Sequence, residues 1–308
     1  MTTPAALIKN IGLAVVGKDD VIKKMVVALL CRGHVLLEDV PGTGKTLMTL
    51  ALARSLDSKF KRVQCTPDLL PSDITGVPVY NQKTQDFEFH PGPVFTNVLL
   101  ADEINRATAR TQSALLECMA EGNVTVDGVT YPLSGFFMVL ATMNPLDQAG
   151  TYSLPEAQLD RFMMRLTVGY LSREDEIAVL LAQSSGAQPL DKVAALFSEQ
   201  QVVDMQKRVT EVALSLPVLE YVGAIVAATR KHGSLKLGAS PRAALALMKA
   251  SQALAFVDDE PYVRPDHVKA LVPCVLAHRL VLAPSAMAAG ATAEAVLEEI
   301  LGQVAVPV

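Results

Sequence analysis

The sequence predicts an α/β fold in which a parallel sheet is flanked by helices, followed by a smaller all-helical C-terminal domain. Aliphatic or β-branched runs alternate with helical stretches from Val35 to about residue 170, which is typical of a parallel sheet covered on both faces. After residue 171 the strand signals stop, and helix caps and helical spacing take over. We therefore place an α/β core at residues 1–185 and a helical domain at residues 186–308.

The sheet is predicted from five short apolar runs. The segment between the first two runs, TLMTLALARSLD, carries Leu47, Leu50 and Arg54 at helical spacing. A strand, a helix and a second strand in this order form a parallel unit. The five predicted strands are VLLE (35–38), FKRVQC (60–65), VLLAD (98–102), FFMVLAT (136–142) and RLTVG (165–169).

Two alternating segments interrupt this pattern and predict inserted hairpins. Residues 76–95 hold two alternating runs around a polar turn. Residues 123–133 have Asp127 and Gly128 at their tip, a strong signal for a two-residue hairpin turn. The aromatic residues of the first hairpin could grip a polypeptide, but their alternation with polar residues favours a half-buried hairpin. They are Tyr80, Phe87 and Phe89.

Helix-start signals mark the C-terminal part. Ser172 with early acidic residues begins one helix, and Ser240 followed by Pro241 begins another. Pro217 is expected to break a further segment, because proline interrupts a helix interior. The segment PDHVKALVPCVLAHRL closes the predicted set.

Composition argues against several classes of protein. Half of the 308 residues are hydrophobic, yet the apolar runs are too short and interrupted to cross a bilayer. A net charge of -5 gives no overall positive field toward nucleic acid or anionic lipid. The four cysteines form no CxxC pair, which argues against a zinc site and a disulfide framework. We expect a soluble, cytoplasmic protein, since the N-terminus has no cleavage-site pattern.

The segment HVLLEDVPGTGKT, between a predicted strand and a predicted helix, indicates a phosphate-binding loop. Lys45 would reach the β and γ phosphates of ATP, and the Thr46 hydroxyl could ligate Mg²⁺. The usual GxxxxGK[ST] pattern has glycine where this chain has Asp39, whose carboxylate must turn away from phosphate, for instance by capping backbone amides. The residues predicted to bind the nucleotide here are Pro41, Gly42, Thr43, Gly44, Lys45, Thr46 and Leu47.

Polar residues follow two further predicted strands. Asp102 and Glu103 come directly after VLLA, and Asn144 follows FFMVLAT. Asp102 would hold Mg²⁺, largely through water, and Glu103 would orient the attacking water. Asn144 would hydrogen-bond the γ phosphate or that water. An isolated acid pair usually marks a strand entering solvent, but carboxyl ends of parallel strands share one edge, where such folds bind ligands.

The ordered motifs HVLLEDVPGTGKT, VLLADEINRA, ATMNP, LPEAQLDRF and GASPRA resemble those of the MoxR family of AAA+ ATPases, from about residue 12 to residue 280. The resemblance implies an AAA+ P-loop NTPase with two hairpins, a helical lid and tolerance of Asp or Gly at position 39. It also implies a homo-oligomeric ring, most often of six subunits.

The resemblance assigns roles to residues that spacing leaves anonymous. Arg161 corresponds to the arginine finger, which acts on nucleotide held by the neighbouring subunit, and Arg242 corresponds to the second sensor. Val16 and Gly17 resemble the segment that packs near adenine. Without the resemblance, both arginines would be read as surface or ion-paired residues.

The resemblance further implies chaperone-like remodelling of a protein partner, often one with a von Willebrand factor A (VWA) domain. A magnesium-chelatase-like ATPase motor subunit is the nearest alternative. A DNA-acting AAA+ motor is disfavoured because the second hairpin has no basic residue and the first has one lysine, Lys83. A weakly hydrolysing ATP-dependent scaffold is disfavoured because the predicted catalytic set is complete.

Overall fold

The computed structural model describes residues 3–38, 42–144, 151–184 and 188–307. Asp39 and Pro41 lie outside these residues. In chain order the strands are β1 (Val35–Glu38), β2 (Phe60–Gln64), β3 (Gly76–Asn81), β4 (Asp86–Pro91), β5 (Val98–Asp102), β6 (Asn123–Val126), β7 (Val129–Pro132), β8 (Met138–Met143), β9 (Met164–Leu166), β10 (Leu235–Leu237) and β11 (Val281–Leu282).

The helices lie before, between and after the strands. They are α1 (Pro4–Gly12), α2 (Asp19–Leu30), α3 (Lys45–Ser55), α4 (Pro71–Thr75), α5 (Ala109–Glu121), α6 (Glu156–Leu159), α7 (Arg173–Ser184), α8 (Glu199–Val209), α9 (Leu216–Lys231), α10 (Pro241–Val257), α11 (Pro265–Leu276), α12 (Pro284–Ala288) and α13 (Ala293–Gln303). Short 3₁₀ helices are η1 (Ile104–Arg106), η2 (Pro189–Lys192) and η3 (Ala277–Arg279).

The five predicted strands form a parallel sheet in the order β2-β5-β8-β1-β9. The fourth strand begins at Met138 rather than at residue 136, and the fifth ends at Leu166 rather than at residue 169. Beyond this end, the carbonyls of residues 168 and 169 accept hydrogen bonds from the Lys18 ammonium group. The sheet prediction is confirmed with shifted ends.

Side chains of β1 alternate between two buried clusters, one on each face of the sheet. Val35 and Leu37 belong to a cluster that continues through α2 into α10 and α11. Leu36 belongs to a second cluster with Leu99 and Val139. Helices therefore cover both faces, as the buried β1 pattern requires.

Both predicted hairpins are present as antiparallel pairs, β3 with β4 and β6 with β7. Asp127 and Gly128 have φ of 50° and 79°, the left-handed pair that a tight hairpin turn needs. The Phe89 and Tyr131 rings stack with centroids 4.2 Å apart, so the two hairpins contact each other. The half-buried interpretation fits Phe89 but not Tyr80 and Phe87, which are 51% and 66% exposed.

The C-terminal part is mainly helical, as predicted, with two differences. Pro217 lies in the first turn of α9 and thus helps to start that helix, because its missing N–H is not needed there. A two-stranded ribbon, β10 with β11, was missed because its strands are too short to carry a pattern. Ser240 caps α10 by accepting a hydrogen bond from the Ala243 amide.

The proposed boundary between the two domains falls at residues 185–187, outside the described residues, and stays a prediction. The sheet ends at Leu166 and α10 to α13 follow much later, which is consistent with the order of the two predicted parts. In the described part of the chain, no helix is long and apolar enough to cross a membrane.

Candidate active site

The described part of the predicted phosphate loop leads directly into α3. Gly42 and Gly44 both have φ of +86°, a conformation that glycine adopts without strain. Gly44 is the N-cap of α3 and has no side chain to cap the first amides of the helix. A helix start of this kind favours a bound anion. The local backbone therefore has the form that a phosphate loop requires.

The three polar segments predicted from sequence meet in one cavity of about 470 Å³. The loop residues that line it are Gly42, Gly44, Lys45, Thr46 and Leu47. Asp102 is the last residue of β5, Glu103 follows it, and Asn144 follows β8. Arg62 and Gln64 from β2 and Thr142 from β8 complete the lining. The adjacent carboxyl ends of parallel strands explain this convergence.

The two acids are held by a single buried hydroxyl group. Thr142 Oγ1 donates a hydrogen bond to Asp102 Oδ1 at 2.5 Å and accepts one from the Glu103 amide at 2.8 Å. Glu103 has φ of 55° and ψ of 51°, a left-handed conformation that costs a non-glycine residue of the order of 1 kcal/mol or more. The Thr142 hydroxyl thus supports a strained backbone at the residue predicted to orient water.

Further donors engage the acidic side chains, two from β2 and one from η1. Arg62 forms an ion pair with Asp102 Oδ2 at 2.6 Å, and Gln64 Nε2 donates to Glu103 Oε2 at 3.0 Å. Arg106 also pairs with Glu103 Oε2, at 2.8 Å. The register of β2 against β5 places Gln64 beside Asp102, which brings these groups together. Both of these partners bind Oε2, and a carboxylate accepts several hydrogen bonds, so Glu103 can accept one from water while it keeps them.

The oxygen donors of the cavity fit a magnesium ion held together with nucleotide phosphates. Thr46 and Asp102, the two predicted ligands, line the same cavity. Among the described residues, no group of three or more His, Cys, Asp and Glu side chains could hold a metal alone. Mg²⁺ is usually bound by one or two protein oxygens plus phosphate and water, so a complete protein cage is not expected.

A second, more apolar cavity of about 230 Å³ lies on the other side of the loop. Gly42, Thr43, Gly44 and Leu47 line it together with Val16. Gly17 is not part of this lining. It lies against α7, where an added Cβ would come within 2.3 Å of Asp175 Oδ2. An apolar pocket beside a phosphate loop has the character expected of an adenine site.

Lys18 binds one wall of the apolar cavity, and it was assigned no role from the sequence. It is buried, and its ammonium group donates hydrogen bonds of 2.8–3.0 Å to the carbonyls of Val168, Gly169 and Tyr170. Gly169 and Tyr170 line the cavity. Three acceptors satisfy the three donors of the ammonium group, which makes its burial tolerable.

The two predicted arginines line a different cavity, of about 360 Å³. Arg161 Nη1 donates to the Leu116 carbonyl, and Arg242 Nη1 lies 3.9 Å from Asp160 Oδ2. Neither arginine is among the residues that line the cavity of Lys45 and Glu103. Within one chain, the loop, the acids and Asn144 share one cavity, and the two arginines share another. The structure does not bring the arginines to the cavity of the loop.

Burial keeps His34 and His278 neutral. Burial lowers the pKa of His34 to about 4 and that of His278 to about 3. His34 Nδ1 accepts from the Val139 amide, so Nε2 carries the proton and donates to the Met119 carbonyl. Burial also raises the pKa of the Cys65 thiol to about 12, with the negative charges of Asp102 and Glu103 adding to the effect. Cys65 is therefore a protonated packing residue.

Two family models match the chain. Residues 34–164 match "ATPase family associated with various cellular activities (AAA)", and residues 227–300 match "AAA lid domain". Chaperone MoxR1 of Mycobacterium tuberculosis is 42% identical over 302 residues, covering 95% of this chain and 79% of the relative. The chain belongs to the MoxR family of AAA+ ATPases.

Other relatives agree with this MoxR family membership. YeaC of Bacillus subtilis, an uncharacterised protein, is 49% identical and covers 98% of this chain and 94% of its own. Protein MoxR of Paracoccus denitrificans is 31% identical, and the match covers 88% of this chain and 86% of the relative. A solved structure from Cytophaga hutchinsonii, of a protein proposed to be an ATPase, matches with a TM-score of 0.92 and 40% identity. The match covers 98% of this chain and 94% of the solved chain.

The family membership shows that this protein is an ATPase with an AAA+ core and lid. Several residues of the site had no individual signal in the sequence. Thr142 lies in the quoted ATMNP motif without an assigned role, and Arg62 follows Lys59 and Lys61 in a short basic segment that has no assigned role either. Only the register of β2, β5 and β8 shows that both reach the acids.

Proposed function

We propose that this protein hydrolyses ATP in a magnesium-dependent reaction at the subunit interfaces of a homo-oligomeric ring, most often of six subunits in this family, and that hydrolysis drives chaperone-like remodelling of a protein partner. The observation that carries the proposal is the division of the predicted catalytic residues between two cavities. Lys45, Glu103 and Asn144 line one, whereas Arg161 and Arg242 line the other.

Residues of the first cavity, together with Val16 of the adjoining apolar cavity, would bind and align the nucleotide. The loop amides and Lys45 would hold the β and γ phosphates, and Val16 would lie beside the base. Glu103 would orient and polarise the attacking water, with Asn144 as a second hydrogen-bonding group. Thr46 and Asp102 would hold the magnesium ion, which, when bound, neutralises charge on the phosphate oxygens.

Arg161 and Arg242 would complete the site of a neighbouring subunit. Among the described residues, their cavity is also lined by Arg32, Lys249 and Arg279, with Asp160 as the one carboxylate. This excess of positive charge suits the polyphosphate of an adjoining protomer. An arginine supplied in trans typically contributes about three to five orders of magnitude to the rate, so an isolated subunit would be nearly inactive.

A protein client is supported by the relative named Chaperone MoxR1. We propose a partner with a VWA domain and a cytoplasmic location for the complex. The magnesium-chelatase-like motor remains the second candidate, because the core and lid alone do not distinguish it.

Crosslinking tests whether the client is a protein. The variant used is Glu103→Gln, which is expected to retain ATP. Recovery of DNA at moderate salt without any protein would contradict the remodelling proposal.

The shared site can be tested by mixing two inactive variants. Lys45→Ala disables the loop but leaves the arginines, and Arg161→Ala does the reverse. Each variant alone should show almost no ATPase activity. Random mixing of equal amounts makes about a quarter of the interfaces complete, so the mixture should recover up to about a quarter of wild-type turnover. The ATPase rate is measured across a concentration series.

A matched control is Arg110→Ala, which removes an exposed arginine on α5 that lines neither cavity. This variant should retain wild-type turnover. Full activity of Arg161→Ala protein on its own would contradict the role of Arg161 in trans. Absence of recovery in the mixture, despite normal assembly of both variants, would contradict the shared site.

A further inference from the structure

Asp160, the residue immediately before Arg161, contacts both the lid and the second predicted arginine. Its Oδ1 forms an ion pair of 2.8 Å with Nε of Arg279, from η3. Its Oδ2 lies 3.4 Å from the Ser240 hydroxyl and 3.9 Å from Arg242 Nη1. One carboxylate therefore joins the Arg161 segment to the start of α10 and to η3.

Arg279 is buried, with 6% of its surface exposed, and is directed at the backbone on both sides of Arg161. Its Nη2 donates to the Phe162 carbonyl at 2.7 Å and to the Asp160 carbonyl at 3.3 Å. The adjacent His278 donates from Nε2 to the same Phe162 carbonyl, at 3.1 Å. A planar guanidinium with several fixed donors can define the path of a short segment in this way.

The pair also has a particular location. Asp160 and Arg279 line the cavity of Arg161 and Arg242, and they also line a neighbouring cavity bordered by α6 and residues 236–241. They thus form part of the wall between two clefts rather than the centre of a core cluster. The Asp160 side chain is 21% exposed, and its Oδ1 is buried against Arg279.

We propose that Asp160 and Arg279 are positioning residues that hold Arg161 and Arg242 in one arrangement for the active site of the neighbouring subunit. The inference rests on the proposed function and deepens it. Arg279 belongs to η3 in the C-terminal part, and Arg161 lies in the segment before β9. A shift of η3 relative to β9 would therefore move Arg161 and Arg242 together in this proposal. The predicted trans-acting pair would then respond to lid position as a unit.

Asp160→Asn tests this inference, because it keeps the side-chain shape and removes the charge. Its kcat should fall roughly 10-fold or more, with KM for ATP and affinity for a fluorescent ATP analogue within about 3-fold of wild type, since the variant's own loop is intact. Mixed with Lys45→Ala protein, which supplies intact arginines, it should recover activity. Mixed with Arg161→Ala protein, which has the same defect, it should not.

A purely structural role gives a different result. Loss of analogue binding by Asp160→Asn protein, or undiminished kcat, would overturn the inference. Failure of Lys45→Ala protein to restore it, while Lys45→Ala and Arg161→Ala still complement each other, would overturn it too. Absence of complementation in that reference mixture would instead contradict the proposed shared site.

Asp160→Glu is the second variant, for the case in which Asp160→Asn protein does not fold. It keeps the charge for Arg279 but lengthens the side chain, which displaces the arginines. We expect its melting temperature to lie within a few degrees of that of the wild type and its kcat to be reduced roughly 10-fold. Mixing with Lys45→Ala protein should restore ATPase activity. Wild-type kcat in a folded Asp160→Glu protein would count against positioning by Asp160.

Discussion

Thr142 shows how one hydroxyl group connects the two acids of the site. It is 1% exposed and donates to Asp102 while it accepts from the strained Glu103 amide. Neither acid could be held in this way by the strand β5 alone, because the group that holds them comes from β8. Thr142 is thus a positioning residue of the proposed reaction and does not itself contact the nucleotide phosphates in our proposal.

We predict that Thr142→Val lowers kcat roughly 10-fold or more, because the Asp102 carboxylate and the Glu103 amide lose the hydroxyl group that positions them, and about 1.4 kcal/mol of lost transition-state stabilisation is tenfold in rate. Affinity for ATP should change less, since the loop is untouched. Steady-state kinetics and analogue binding measure the two effects. Thr142→Ser retains the hydroxyl and serves as the control. Equal kcat in the Val and Ser variants would contradict the positioning role.

At the scale of elements, the two hairpins form one aromatic unit at the edge of the core. Phe89 from β4 stacks on Tyr131 from β7 with an interplanar angle of 15°. Phe89 also makes an edge contact with Phe95, at a centroid distance of 5.5 Å. At the other end of the first hairpin, Tyr80 and Phe87 contact each other but remain mainly exposed. The hairpins therefore have a packed part and an exposed part.

We predict that Phe89 and Tyr131 are energetically coupled by about 0.5–1.5 kcal/mol, the range for stacked aromatic pairs. A double-mutant cycle with Phe89→Leu and Tyr131→Leu, followed by denaturant unfolding, measures this coupling. The exposed pair Tyr80 and Phe87, replaced in the same way, is the matched control and should show a smaller coupling. Additive effects for Phe89 and Tyr131 would mean that the hairpins are independent.

At the scale of the whole molecule, two neutral histidines connect separate parts of the fold. His34 joins the end of α5 to β8 through the Met119 carbonyl and the Val139 amide. His278 joins η3 to the Phe162 carbonyl before β9. Burial is the main cause of the low pKa of each, and the positive charge of Arg279 further lowers the pKa of His278.

Stability should therefore decrease as the pH falls below about 6.5, the ordinary histidine pKa, toward the folded-state values of about 4 and about 3. In this window the unfolded chain binds more protons than the folded chain, so the free energy of unfolding rises with pH. From pH 7.5 to pH 5, each histidine should contribute a loss of about 2 kcal/mol. Chemical unfolding at several pH values measures the change.

His34→Gln is the informative variant for this pH dependence. It should be less stable at neutral pH, because the buried imidazole is lost, but the slope of stability against pH should decrease. An unchanged slope between pH 5 and pH 7.5 would show that His34 does not titrate differently in the folded and unfolded states. Comparing slopes removes the contribution of carboxylates that titrate at lower pH in both proteins.

Much of the element order followed from local patterns. The runs of the parallel sheet, the Asp127–Gly128 turn and the Ser240 cap are determined by side chains within a few residues of each other. Strand ends were less predictable. The carbonyls that follow β9 are bound by Lys18, which lies about 150 residues earlier, so their partner has no local signal. The β10–β11 ribbon likewise depends on contacts between distant segments.

The sequence by itself determined the residue types of the site, since a glycine turn before a helix, paired acids after a buried strand and a following asparagine each have a local pattern. Tertiary structure decided which of these groups share a cavity and which donors, such as Arg62 and Thr142, surround the acids. It also separated Arg161 and Arg242 from the loop and joined them through Asp160 to Arg279. The physical reason is that hydrogen bonds and ion pairs depend on distances of a few ångströms, which only strand register and helix packing define.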